Sequence, residues 1–165
     1  MRTTVSPGTL RRLDIQGFDA VEEQRLAPVA GWLRLAFGLC ALLGAAGTIA
    51  ASPVILLVLA PIAALAAALP VHPFDLIYNH GIRRLTGTEP LPRRGAPARF
   101  ACGLGAVGLL VTAWAFHAGH AVLGYALGGA LTATAVLVST TDICIPSMIY
   151  RSIFGPPRAR SPHRG

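Results

Sequence analysis

Forty consecutive residues, from Leu35 to Phe74, carry no formal charge. A single helix of that length would measure about 60 Å, roughly twice the ~30 Å hydrocarbon core of a bilayer. The run must therefore fold back on itself, and Pro53 near its middle suits the first position of a new helix. We predict two membrane spans, from about Val29 to Ala51 and from about Pro53 to Val71.

A second uncharged run of 42 residues, from Phe100 to Thr141, is interrupted at His117–His120. It predicts another hairpin, with spans at about Phe100 to Phe116 and Ala121 to Thr141. Every backbone polar group must be satisfied in lipid, and the Ala- and Leu-rich composition favours helices over a barrel. The predicted fold class is all-α, a polytopic membrane protein with four transmembrane helices arranged as two hairpins.

The positions of the arginines predict the orientation of these spans. Only 13% of the residues are charged, against about 25% in soluble domains, so we attribute the net charge of +7 to a bilayer rather than to nucleic acid. Five of the 14 basic residues lie at or before Arg34, five between Arg83 and Arg99, and four from Arg151 onward. Neither short turn contains any. This pattern places both termini and the central loop on the cytoplasmic side.

The central loop is predicted to contain an interfacial amphipathic helix at 73–86, which Pro73 starts and Gly87 ends. Arginines on its polar face, together with those of the Pro-rich connector that follows, would contact anionic headgroups or a partner. The alternative is a helix folded under the bundle. The apolar stripe is Phe74, Ile77, Tyr78, Gly81, Ile82 and Leu85; the polar face is Asp75, Asn79, His80, Arg83 and Arg84; the connector arginines are Arg93 and Arg94.

The rest of the chain divides into two cytoplasmic ends around a transmembrane domain at 29–155. In the N-terminal segment, 1–28, Asp19 and Glu22 have the spacing of a capping box for a helix that runs into the first span. The connector at 89–97 should be extended because it is rich in proline. The basic tail, 156–165, should be disordered on its own.

Arg34 and Asp142 are predicted to lie at the same depth, near the cytoplasmic ends of the first and fourth spans. A charge inside a membrane segment requires a partner or a route to the interface. We expect the two to pair, or to share a polar cluster with Thr140, Thr141 and Ser147. The alternative is that Arg34 extends to the interface alone and Asp142 simply ends its helix.

Three cysteines, Cys40, Cys102 and Cys144, show no CxxC spacing, so neither a disulfide framework nor a zinc site is indicated. A buried thiol usually behaves as a small apolar group. Cys144 lies near the cytoplasmic interface, where a thiol beside arginine can become reactive, although Asp142 would oppose this. A redox role for Cys144, with Cys102 at a similar depth, is therefore the alternative.

A pair of histidines and a pair of glycines are also candidate functional motifs. His117 and His120 are the weak metal candidates, but they lie in an outer turn without a carboxylate or cysteine, so we predict no metal and no cofactor. Gly124 and Gly128 form a GxxxG pair, which permits close approach of two helices. We expect it to serve packing within the bundle first and association with another protein second.

Several short motifs resemble a bacterial membrane-protein family catalogued as domain of unknown function 4395, over about Ala27 to Gly155. The resemblance implies a bacterial inner-membrane protein and supplies no catalytic residues. The motifs are His72-Pro73-Phe74-Asp75, Tyr78-Asn79, Leu85-Thr86-Gly87-Thr88, Ala98-Arg99-Phe100-Ala101-Cys102 and Asp142-Ile143-Cys144-Ile145-Pro146-Ser147.

These observations favour a non-catalytic protein, an accessory or structural subunit of a larger bacterial inner-membrane complex. Its expected partners are the lipid bilayer and other membrane-protein subunits. The alternative is a membrane thiol-redox protein acting through Cys144. A small carrier is less favoured, because polar residues within the spans are scarce.

Overall fold

Within the part of the chain that the structure describes, four long helices form the bundle and three shorter ones lie at its arginine-rich end. The computed structural model describes residues 6–18, 29–87 and 90–155, and within these ranges every regular element is helical. The Asp19–Glu22 capping box and the tail from Pro156 lie outside the described residues. The long helices are α2 (Ala30–Ile49), α3 (Pro53–Ala68), α5 (Ala96–His117) and α6 (Ala121–Thr141); the short ones are α1 (Pro7–Ile15), α4 (73–86) and α7 (Ile145–Phe154).

Three of the long helices are long and apolar enough to cross a bilayer, namely α2, α5 and α6, with mean hydropathy of 1.6, 1.6 and 1.8. The fourth, α3, contains only 16 residues, or about 24 Å. α3 is joined to residues 73–85 by an 86° bend, and the two segments together are long and apolar enough to count as one candidate span. The described residues thus contain three candidate spans, or four if the bent pair is one, and these are the features of a membrane protein.

The third long helix includes the predicted third span, about Phe100 to Phe116, and extends it by a few residues at its start. α5 starts at Ala96 rather than Phe100, with Pro97 in its first turn. Proline is tolerated there because the first turn needs no N–H donor. The end of the connector, expected to be extended, is therefore helical. Arg99 also binds the end of α3, donating to the carbonyls of Ala67 at 2.9 Å and Ala68 at 2.7 Å.

α4 forms at the predicted position, but its faces differ from the prediction. It consists of an α-helical turn, a π-helical turn over Tyr78–Ile82 and a last α-helical turn that ends at Gly87, where φ is +66°. The wider π turn rotates the residues that follow it, so the predicted stripe does not remain on one side. Tyr78 is buried against Trp32, with ring centroids 5.2 Å apart, whereas Leu85 is exposed. Asp75, predicted on the polar face, is buried.

α2 and α6 pack antiparallel in a register that small residues define. A Cβ on Gly44 would lie 3.5 Å from the Thr132 hydroxyl, and a Cβ on Gly128 would overlap the Thr48 side chain. Each glycine thus faces a threonine of the other helix. Gly124 is also buried, against the Phe116 ring. Both glycines of the predicted GxxxG pair therefore face the interior of the bundle.

The short helix α7 was not predicted. Cys144 is its N-cap and Pro146 lies in its first turn. One side is buried at Ser147, and the other exposes several large apolar residues. The prolines near that segment kept its helical spacing from being recognised in the sequence.

Candidate functional site: a cysteine-lined cavity beside two ion pairs

All three cysteines line one cavity of about 200 Å³ between the long helices, near the arginine-rich end. Cys40 comes from α2, Cys102 from α5, and Cys144 from the start of α7. The rest of the wall is mostly apolar. Its larger side chains include Phe37, Leu59, Leu109, Leu131 and Val138.

Cys144 lies at the start of α7, where its Sγ accepts a side-chain hydrogen bond. As the N-cap of α7 it lies where the helix dipole and free N–H groups favour negative charge. The hydroxyl of Ser147 donates to its Sγ at 3.0 Å, and Ser147 is fully buried. A helix N-terminus is one of the positions at which reactive cysteines are found.

Cys40 is positioned by His72, which also caps α4. The Nδ1 atom of His72 accepts the backbone N–H of Phe74 at 3.2 Å, so the ring hydrogen must be on Nε2. That atom lies 3.9 Å from the Sγ of Cys40 and can donate to it. His72 itself is 1% exposed and lines the cavity. The ring is therefore held as a neutral donor toward the thiol.

Behind this wall lies a buried ion pair between Asp75 and Arg94. Nε and Nη2 of Arg94 each donate to one oxygen of Asp75 at 2.9 Å. The guanidinium lies 4.9 Å above the ring of Phe37, and the Arg94 N–H donates to the carbonyl of Pro70 at 2.7 Å. The same Asp75 carboxylate accepts the N–H of His72 at 3.3 Å. The pair thus joins the connector, α2 and the turn before α4.

The location of Arg94 corrects one of our predictions. Arg94 was expected to contact headgroups, yet its side chain is 0% exposed. The reason is Asp75, whose buried carboxylate requires a cation. Arg93, the preceding residue, is exposed, as are Arg83 and Arg84 on α4. Contact of those three with headgroups or a partner stays a prediction.

Arg34 and Asp142 are brought together, as a second ion pair. Nε of Arg34 donates to Oδ1 of Asp142 at 2.9 Å, and Nη2 donates to Oδ2. Asp142 is 4% exposed and ends α6 with φ +59°, a conformation that Asp tolerates better than most residues. The nearby hydroxyls do not join the pair. Thr140 and Thr141 donate to carbonyls of their own helix, and Ser147 donates to Cys144.

The N-terminal helix α1 closes this end of the bundle. Arg12 donates to the carbonyl of Thr141 at 2.8 Å, and the Gln16 amide donates to that of Asp142 at 2.9 Å. From the other side, Arg151 of α7 donates to the carbonyls of Ile15, at 3.1 Å, and Asp14. Sequence reasoning missed this arrangement, because donors to carbonyls leave no pattern in the sequence.

His117 and His120 lie at the opposite end, far from these residues along the helices. Both are exposed, and the His120 ring lies 5.7 Å from that of Trp114. Within 6–18, 29–87 and 90–155, no three His, Cys, Asp or Glu residues are grouped so that they could hold a metal ion. The expectation that the protein uses no cofactor stays a prediction.

Comparison with known proteins identifies a family. No curated protein and no solved structure matches the chain. One family model, described as a domain of unknown function (DUF4395), matches residues 30–154, which is most of the chain and includes both ion pairs and all three cysteines. The resemblance seen in the sequence motifs is thus confirmed, and the chain belongs to the DUF4395 family.

Proposed function

We propose that this chain is a membrane thiol-redox protein that acts through Cys144. The observation that carries the proposal is the convergence of three cysteines, distant in sequence, on one cavity, with Cys144 at a helix N-terminus and hydrogen-bonded by Ser147. The negative charge of Asp142, two residues before Cys144, is balanced by Arg34.

The cavity limits the size of the partner. A volume of about 200 Å³ between helices excludes a folded protein, and Cys144 is only 3% exposed. A disulfide of low molecular mass, R–S–S–R, is the partner class that fits. Cys102, 8% exposed on the same cavity, supplies the second thiol.

The exchange balances without any further reactant. The sulfur of Cys144 attacks one sulfur of R–S–S–R, which forms a mixed disulfide and releases the first R–SH. Cys102 then attacks the sulfur of Cys144, which forms the Cys102–Cys144 disulfide and releases the second R–SH. The two thiol protons are carried by the two R–SH products. One disulfide is reduced and one is formed.

We expect dipyridyl disulfide, added to the folded protein in mild detergent, to release two equivalents of pyridinethione in a fast phase. Peptide mass spectrometry should then find Cys102 linked to Cys144. Cys144→Ser should abolish the fast phase, whereas Cys40→Ser should retain it and serves as the control. If Cys144→Ser reacts as fast as the parent protein, or if no thiol reacts before denaturation, the proposal is wrong.

We infer further that all four long helices cross a bacterial inner membrane, with both termini in the cytoplasm. The arginine distribution supports this orientation. The 86° bend after α3 supports an α4 that lies along the membrane surface. Reporters fused near Gly119 and near Gly165 should report opposite sides of the membrane. Reporters on the same side would contradict paired crossings.

A second candidate function, an accessory subunit of a larger membrane complex, is favoured by the outer face of α6. Only 17% of this helix is buried, against 33% for α2 and α5. Its exposed face carries small residues, which are typical of contacts between helices rather than with lipid. They are Ala126, Gly129, Ala130 and Ala133.

Substitution on this face tests the accessory role. A side chain at Gly129 would meet nothing within 4 Å in this chain. Gly129→Leu should therefore preserve the fold and release any membrane protein that co-purifies with the parent chain. A parent chain that purifies alone from native membranes in mild detergent would contradict the accessory role.

A further inference from the structure

The exposed face of α7 is an apolar surface at the arginine-rich end that the proposed function does not use. Its side chains follow helical spacing on one side, and each is about half exposed or more. On the opposite side, Ser147 is fully buried, and Arg151 binds the carbonyls at the end of α1. The exposed set is Ile145 (47%), Met148 (49%), Ile149 (46%) and Ile153 (66%).

We propose that this face of α7 inserts into the membrane leaflet at the arginine-rich end, so that α7 is an interfacial helix. A helix of 10 residues is about 15 Å long and cannot cross the ~30 Å hydrocarbon core. Its start is joined to the end of α6 by residues 142–144, which reach at most about 10 Å. α7 is thus held at the depth where α6 leaves the lipid.

The position and chemistry of the exposed face of α7 favour contact with lipid. Large apolar residues on one side, with arginine on the other, are typical of helices that lie in the interface. Tyr150 links the helix to Phe100 at the start of α5, with ring centroids 5.4 Å apart. Arg158, Arg160 and Arg164, further along the sequence, complement an anionic leaflet.

Spin labels test the insertion in the full chain. Ile149→Cys and Ile153→Cys, each in a variant with the three native cysteines replaced by alanine, would be labelled and reconstituted in vesicles containing phosphatidylglycerol. Oxygen should relax both labels more than a water-soluble nickel chelate does. Arg11→Cys on the exposed side of α1 should show the reverse. Greater relaxation by nickel at both α7 positions would overturn the proposal, as would labels that neither reagent reaches.

A second measurement retains the native cysteines, in case their replacement prevents folding. Ile153→Trp adds one indole to those of Trp32 and Trp114. Its additional emission should be quenched by lipids brominated near the headgroup and little by aqueous iodide. Quenching by iodide alone, or by neither reagent, would contradict insertion.

Discussion

Arg94→Ala should destabilise the protein by about 3–5 kcal/mol, the range expected when one partner of a buried ion pair is removed. The variant would leave the carboxylate of Asp75, 2% exposed, without its guanidinium. It would also remove the cation above the Phe37 ring. Because Asp75 and His72 together cap α4, we expect the loss to loosen the turn between α3 and α4 as well.

The adjacent arginine provides a matched control. Arg93→Ala removes the same charge one residue away from an exposed position, so its effect should stay within about 0.5 kcal/mol. Arg94→Lys should give an intermediate result, because lysine keeps the charge but cannot make the paired hydrogen bonds. Unfolding free energies in mixed micelles, titrated with SDS, would measure all three variants. Equal effects at Arg93 and Arg94 would contradict the role of the pair.

Removing the second ion pair should have the next largest effect. Arg34→Gln should lower the unfolding free energy by about 2 kcal/mol, because charge-assisted hydrogen bonds to the buried Asp142 are lost. The value is below that for Arg94 because the Arg34 side chain is 39% exposed and partly solvated. Asp142→Asn should cost a similar amount.

A double-mutant cycle separates pairing from backbone effects. If Arg34 and Asp142 interact directly, Arg34→Gln combined with Asp142→Asn should cost clearly less than the sum of the single variants. Asn suits the left-handed backbone at position 142, whereas Asp142→Ala should lose about 1 kcal/mol more, because alanine is strained there. Additive single effects would show that the pair contributes no coupling energy. The same SDS titration gives these values.

Depth and periodicity along single helices allowed much of the bundle to be predicted. The uncharged runs gave the positions of the long helices, and the helical content predicted for the chain is confirmed in the described residues. Arg34 and Asp142 could be placed at one end because each lies a known distance from the end of its own helix. The structure brings these two together.

Interactions that depend on the path of irregular chain could not be predicted. Asp75 and Arg94 are separated by 19 residues that include the Pro-rich connector, whose direction no periodic pattern encodes. The π turn within α4 also has no reliable sequence signature. The cavity depends on the relative positions of several helices, so the three cysteines could not be assigned to one wall in advance.

The contacts of α1 have a consequence for biosynthesis. This helix is translated well before the groups it binds, around Thr141 and Arg151. Arg34 likewise precedes Asp142 by 108 residues, a delay of about 5–20 s at the usual pace of a ribosome. During that interval the early segment must wait in contact with lipid or with the insertion machinery. α1 therefore cannot close the bundle until these later residues have been made, and a nascent chain that stalls before Thr141 lacks the groups to which α1 docks.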